Sequence, residues 1–203
     1  MDELPHTSLV LTMKADRLGE FFLLLQQGVT LTAYVGCSLE KLLVEQWSLP
    51  RDYVATRITT IFLNGRAIDD VATAVVRDGA AVALSGAMPG LVGATMRRGG
   101  FYAAMRGAMT HHETEEGGSD RRGSVRLKLF NLLLPELGPG FLERGVTLGA
   151  PQAAAFLRER DESFWAGCEA VILDAAPLSP ERLREGDAFP PEGTVRLAVI
   201  VRG

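Results

Sequence analysis

The chain is poor in the residues that most catalytic and secreted domains depend on. It has two cysteines, Cys37 and Cys168, in 203 residues. Two thiols do not make a disulfide framework, and neither lies in a Cys-x-x-Cys or Cys/His cluster, so a reducing cytoplasm is expected and a zinc site is not. There are three histidines, and His6, His111 and His112 all fall in segments that read as terminal or mobile. A general base needs a fixed place within hydrogen-bond reach of its substrate, so none of them suits that role. His111-His112 beside Glu113 and Glu115 would hold a metal only loosely, because structural sites fix their ligands on rigid elements. A surplus of positive charge is also missing. The formal net charge of −4 supplies no electrostatic reason to expect nucleic acid. No apolar run reaches the roughly 18 residues of a membrane helix, and Met1 to His6 lacks the basic and apolar regions of a signal peptide. Walker, Gly-x-Ser-x-Gly and His-Glu-x-x-His motifs are absent. The expectation is a protein without catalytic residues, metal or cofactor.

What the chain does have is apolar surface to bury: 47% of residues are hydrophobic, enough for one ordinary domain or two small ones. Its organising stretch runs from Ile58 to Asp70, a strand that turns at Asn64-Gly65, and continues through Val75-Val76 to a strand launched from Asp78-Gly79 and ending near Ser85. Asn-Gly and Asp-Gly supply positions that tolerate positive φ, so the chain can reverse there.

Before this stretch, Ser8–Lys14 alternates like a strand, and Gly28 closes an apolar run before a second strand, Val29–Val35. Ser38 suits an N-cap, with Leu39, Leu42, Leu43 and Trp47 at helical spacing after it. Pro50 marks the helix end, and residues 49–57 read as a linker. Cys37 precedes this helix, where the helix dipole could lower its pKa, but with no histidine nearby a packed thiol is expected; Cys168 reads as packing too. Asp69-Asp70 read as solvating a turn, since adjacent carboxylates on a strand face opposite ways.

Residues 86–107 are rich in Gly, Ala and Met and have no clear period. They read as a loop or short helix pair packing through Met88, Leu91, Phe101 and Tyr102, with Arg97, Arg98 and Arg106 making it locally positive. The charged stretch 108–123 reads as an interdomain linker. From residue 124 the first pattern returns. Val125–Phe130 alternates; Gly145-Val146-Thr147-Leu148 repeats Gly28-Val29-Thr30-Leu31; Ala153–Arg160 is helical, with Phe156 and Leu157 inward; Glu169–Asp174 is a strand. Ser179-Pro180 starts a capped helical turn, and Thr194–Val201 is the last strand. The same order of elements twice points to an internal repeat, with domains at 1–107 and 124–203.

Strand, strand, helix, strand, strand is the β-grasp plan. Through Asn64-Gly65-Arg66, Asp78-Gly79, Ala81–Leu84 and Val125–Phe130, the chain resembles the ubiquitin-like sulfur carriers, the family of the molybdopterin synthase small subunit and the thiamine sulfur carrier. The resemblance implies an α+β fold of two tandem β-grasp domains, each a mixed sheet with one packed helix. A carrier of that family works through a free C-terminal Gly-Gly. This sequence reads Val201-Arg202-Gly203, directly after the last strand. Gly99-Gly100, about fifteen residues past the first half's last strand, would be the processed terminus if the chain were cleaved after Gly100; a simple turn is the competing reading.

The functional expectation is therefore a cytoplasmic protein-interaction module related to sulfur carriers, docking a partner protein on an open sheet face or edge. The contact residues expected are Met88, Leu91, Met96, Phe101 and Tyr102, with Arg97 and Arg98 as polar anchors. An exposed edge would also serve homodimerisation. The alternatives are a sulfur carrier for molybdopterin or thiamine biosynthesis, partnered by its activating enzyme or a cofactor-biosynthesis enzyme, and a small-ligand module needing a concave pocket.

Overall fold

In the computed structural model, which describes residues 6–87, 90–100, 121–185 and 188–202, Asn64 and Gly65 take φ of 52° and 78°. Those values make the tight hairpin expected at that dipeptide. In chain order the elements are β1 (His6–Lys14), a 3-10 segment (Ala15–Phe21), α1 (Phe22–Gln27), β2 (Val29–Val35), β3 (Cys37–Ser38) and α2 (Leu39–Lys41), which continues as a π-helical turn over Leu42–Gln46. There follow α3 (Arg51–Thr56), β4 (Thr60–Leu63), β5 (Arg66–Ala67), β6 (Val75–Val76), β7 (Ala80–Ser85), α4 (Gly90–Met96) and β8 (Arg121–Phe130). Last come α5 (Leu133–Arg144), β9 (Val146–Gly149), α6 (Ala150–Arg158), α7 (Glu162–Ala166), β10 (Cys168–Leu173), β11 (Ala176–Leu178), α8 (Pro180–Arg184) and β12 (Thr194–Arg202). The fold is α+β, with mixed sheets and several helices.

The chain divides into two compact units. One comprises residues 24–136, the other 1–23 with 137–203. The contiguous unit carries a five-stranded sheet. β2 pairs antiparallel with β8, β8 parallel with β7, β7 antiparallel with β4, and β4 with β5. β3 and β6 form a separate two-stranded ladder. One face buries Val29, Val35, Val125, Leu127, Val82, Leu84 and Ile61, together with Leu39, Leu42 and Leu43 of the helix. Ser38 caps that helix, its Oγ accepting from the Lys41 N–H at 3.2 Å.

The discontinuous unit is organised alike. β9 pairs antiparallel with β12, β12 parallel with β1, β1 antiparallel with β10, and β10 with β11. Leu9, Leu11, Met13, Val195, Leu197 and Val199 point into its core. Phe21 lies there with its ring centroid 5.4 Å from those of both Phe156 and Phe164.

Two local readings change. Pro50 ends one helix but also immediately precedes α3, where residues 49–57 read as linker; a missing N–H costs little at a helix start. Residues 90–96 are helical, which falls within the loop-or-short-helix reading of that stretch. Strand β8 begins at Arg121, inside the stretch read as interdomain linker; residues 101–120 lie outside the described part. A division of the sequence at 107 and 124 places β1 with the first half and β8 with the second. By pairing, β1 belongs to the sheet of β9–β12, and β8 to the sheet of β2–β7.

Candidate docking face

Strand alternation in residues 24–136 buries one side of each strand and leaves the other at least partly exposed, except at the paired and buried Thr60 and Ser85. The second side carries Thr30, Thr32 and Tyr34 from β2; Arg122, Ser124, Arg126, Lys128 and Phe130 from β8; Ala81 and Ala83 from β7; and Phe62 from β4. Registers align Tyr34 with Arg122, Thr30 with Arg126, and Ala83 with Lys128 and Phe62. Three cations therefore occupy one strand face, and none of these strand positions holds a carboxylate. Arg126 and Lys128 sit about 7 Å apart along the strand, close enough for their like charges to repel at moderate ionic strength. Among the described residues no carboxylate pairs with any of the three. Arg121, one position away on the opposite side, reaches Asp78 at 3.5 Å. Asp78 in turn accepts from the Ser124 backbone at 2.8 Å and from its hydroxyl at 3.2 Å, which holds its carboxyl below the ordinary range.

Arg126 is also positioned by the backbone beneath it. It donates to the Gln27 carbonyl at 3.2 Å and crosses Gly28, where a Cβ would come within 2.6 Å of Arg126 Nε.

At one end of the face lies a recess of about 380 Å³ lined by Thr32, Ala33, Tyr34, Gln46, Trp47 and Arg122. The π-helical turn ends at Gln46, whose carboxamide closes on the backbone of β2. Its Oε1 accepts from Tyr34 N–H at 2.7 Å and its Nε2 donates to Tyr34 C=O at 2.8 Å. The same Nε2 lies 3.4 Å from Cys37 Sγ, which approaches the Tyr34 carbonyl at 3.2 Å. Cys37 is thus a buried packing thiol. Cys168 is half-buried, and burial pushes its thiol up. Tyr34 stands 58% exposed.

Of the residues singled out in 86–107, Met88, Phe101 and Tyr102 lie outside the described part, as does the side chain of Leu91. Met96 is half-buried and Arg97 exposed at the end of α4. Arg98 turns inward. It donates to the carbonyls of Val54 at 3.0 Å, Ile58 at 3.4 Å and Asp69 at 3.3 Å, and desolvation lowers its pKa. Gly99 donates its N–H to Asp69 Oδ1 at 3.3 Å, and the Gly100 N–H reaches the Arg97 carbonyl at 3.2 Å. Gly99-Gly100 therefore turns the chain against the Asp69 loop.

Another polar cluster joins α3 to the start of α5. Tyr53 donates to Glu136 Oε2 at 2.6 Å, and Arg57 grips both oxygens of Glu136. These bonds hold Glu136 down to about 2, while burial and the carboxylate push the Tyr53 phenol up. All three groups satisfy one another, and none is poised as an acid or base. Among the described residues no three His, Cys, Asp or Glu side chains gather to hold a metal, and no helix is long and apolar enough to cross a membrane.

The alternation of β8 makes Arg126 and Lys128 legible as one face. Arg122 is hidden in the sequence because it falls within a stretch that reads as linker. No family model, curated protein or solved structure matches the chain.

Proposed function

We propose that the protein is a non-catalytic interaction module built from two β-grasp-like units, docking an acidic partner protein on the cationic face of β8. The observation that carries this reading is the alignment of Arg122, Arg126 and Lys128 on one sheet face without a carboxylate among them. Like charges at neighbouring positions oppose folding slightly, and an acidic partner relieves that repulsion while speeding encounter. The β-grasp reading draws support from the arrangement within residues 24–136. A parallel central pair, β8 and β7, is flanked by antiparallel strands, with a helix on one side. The strand that opens an ordinary β-grasp chain is supplied here from the end of the unit.

The sulfur-carrier alternative requires a free tail ending at Gly100. The engagement of Gly99 and Arg98 with the Asp69 loop favours a turn at that place. Isolation of the protein from its own cells, with mass determination, tests both. A full-length chain carrying a protein partner that an R126A/K128A variant fails to retain supports the docking face. A species ending at Gly100 with the increment of a thiocarboxylate replaces this reading with the carrier.

A further inference from the structure

Resting on that reading, we infer that the recess beside Arg122 is the anchor of the docking face, taking an acidic side chain with an adjacent aromatic or apolar residue through side-chain contacts alone. Three observations combine. Arg122 is the sole charge in the lining and has no carboxylate partner among the described residues. Its cross-strand neighbour on the same face is Tyr34, so a guanidinium and an exposed ring stand side by side. Gln46 spends both ends of its carboxamide on the Tyr34 backbone.

The chemistry of the occupant follows. With the Gln46 amide committed, the polar groups left to a ligand are the Arg122 guanidinium, the Thr32 hydroxyl and the Tyr34 phenol, beside the apolar face of the Tyr34 ring. A carboxylate meets two guanidinium N–H groups at once, which an amide of the same shape does not. The neighbouring ring surface favours an aromatic or apolar residue next to that carboxylate. Strand addition at Tyr34 is shut out, because its N–H and C=O, the groups an added strand would use, are occupied by Gln46. Recognition here differs from that of a sheet edge that takes any extended peptide.

The test uses the full chain and a fluorescein-labelled peptide of alternating Glu and Tyr, read by anisotropy, beside a Gln/Tyr peptide of equal length, inorganic phosphate as competitor, and a labelled oligothymidylate. The Glu/Tyr peptide should bind at least tenfold more tightly than the Gln/Tyr peptide. R122A should lose about tenfold, R122E more, and R122K should recover only part, since a point charge does not replace the planar fork. T32A should lose a smaller factor, and unchanged melting curves establish that each variant is folded. If R126A/K128A weakens the Glu/Tyr peptide while R122A and T32A do not, the anchor is overturned and the docking face stands. If none of these variants changes binding, both fall. Equal or tighter binding of oligothymidylate overturns the acidic-peptide assignment in favour of nucleic acid. Phosphate competing at low millimolar concentration would reduce the recess to a small-anion site and overturn it likewise.

Discussion

Arg126 crosses Gly28 as Arg196 crosses Gly145. A Cβ on Gly28 would lie 2.6 Å from Arg126 Nε, and a Cβ on Gly145 would lie 2.7 Å from Arg196 Cζ. Each arginine donates to the carbonyl just before its glycine, Gln27 in one unit and Arg144 in the other. Registers agree as well, with Thr30 opposite Arg126 and Thr147 opposite Arg196. The repeated Gly-Val-Thr-Leu is thus a strand start whose glycine leaves room for a neighbouring guanidinium.

Gly28→Ala and Gly145→Ala should each destabilise the fold by about 1–3 kcal/mol, because φ of 110° and 91° strains any side chain and the arginine must move. Urea unfolding checks this. Combining Gly28→Ala with Arg126→Ala should recover most of the steric part, leaving the tighter approach to Lys128 at 3.1 Å and the backbone part.

Arg98→Ala should cost about 1–3 kcal/mol, since it leaves three carbonyls without their charged donor. Arg98→Lys should recover little, because one ammonium does not span the carbonyls of Val54, Ile58 and Asp69. Proteolysis at the end of α4 reads the local loss, and thermal melting the global one.

Stability should fall on acidification partly through Glu136. Its carboxyl titrates near 2 in the folded chain, below the roughly 4.3 of an unperturbed glutamate. The unfolded chain therefore takes up that proton first. The contribution is complete above about pH 5 and lost as pH drops through about 2. Glu136→Gln should flatten this part of the stability curve and cost about 1 kcal/mol at neutral pH, a small value because the pair is solvent-screened. Urea midpoints across pH 2–6 measure it.

A fragment covering residues 24–136 should unfold cooperatively on its own, since its five sheet strands are contiguous in sequence. A chain lacking residues 1–14 should lose the ordered structure of 137–203, because β1 supplies the strand lying between β12 and β10. Amide exchange resolved by segment distinguishes the two.

Much of the local structure was legible in the residues. Asn64-Gly65 announced a hairpin, Ser38 a helix cap, Val29–Val35 and Thr194–Val201 strands, and Gly-Val-Thr-Leu a repeated strand start. Helix α3 was obscured because Pro50 ends one helix and precedes the next. The candidate face was half legible, since Arg126 and Lys128 alternate visibly with buried residues whereas Arg122 does not. Arg98 read as a surface anchor, because nothing in its neighbours announces that three carbonyls close around it.

The sequence by itself determined where the chain turns, which residues alternate, and which sides of its strands are apolar, because φ preferences and burial patterns act over a few residues. Tertiary structure alone decided that β8 lies between β2 and β7, and that β1 lies between β12 and β10. Alternating apolar strands satisfy many neighbours equally well along the sequence. The choice among them rests on which long-range pairing buries the apolar side of each strand and completes the ladders on both of its edges at once.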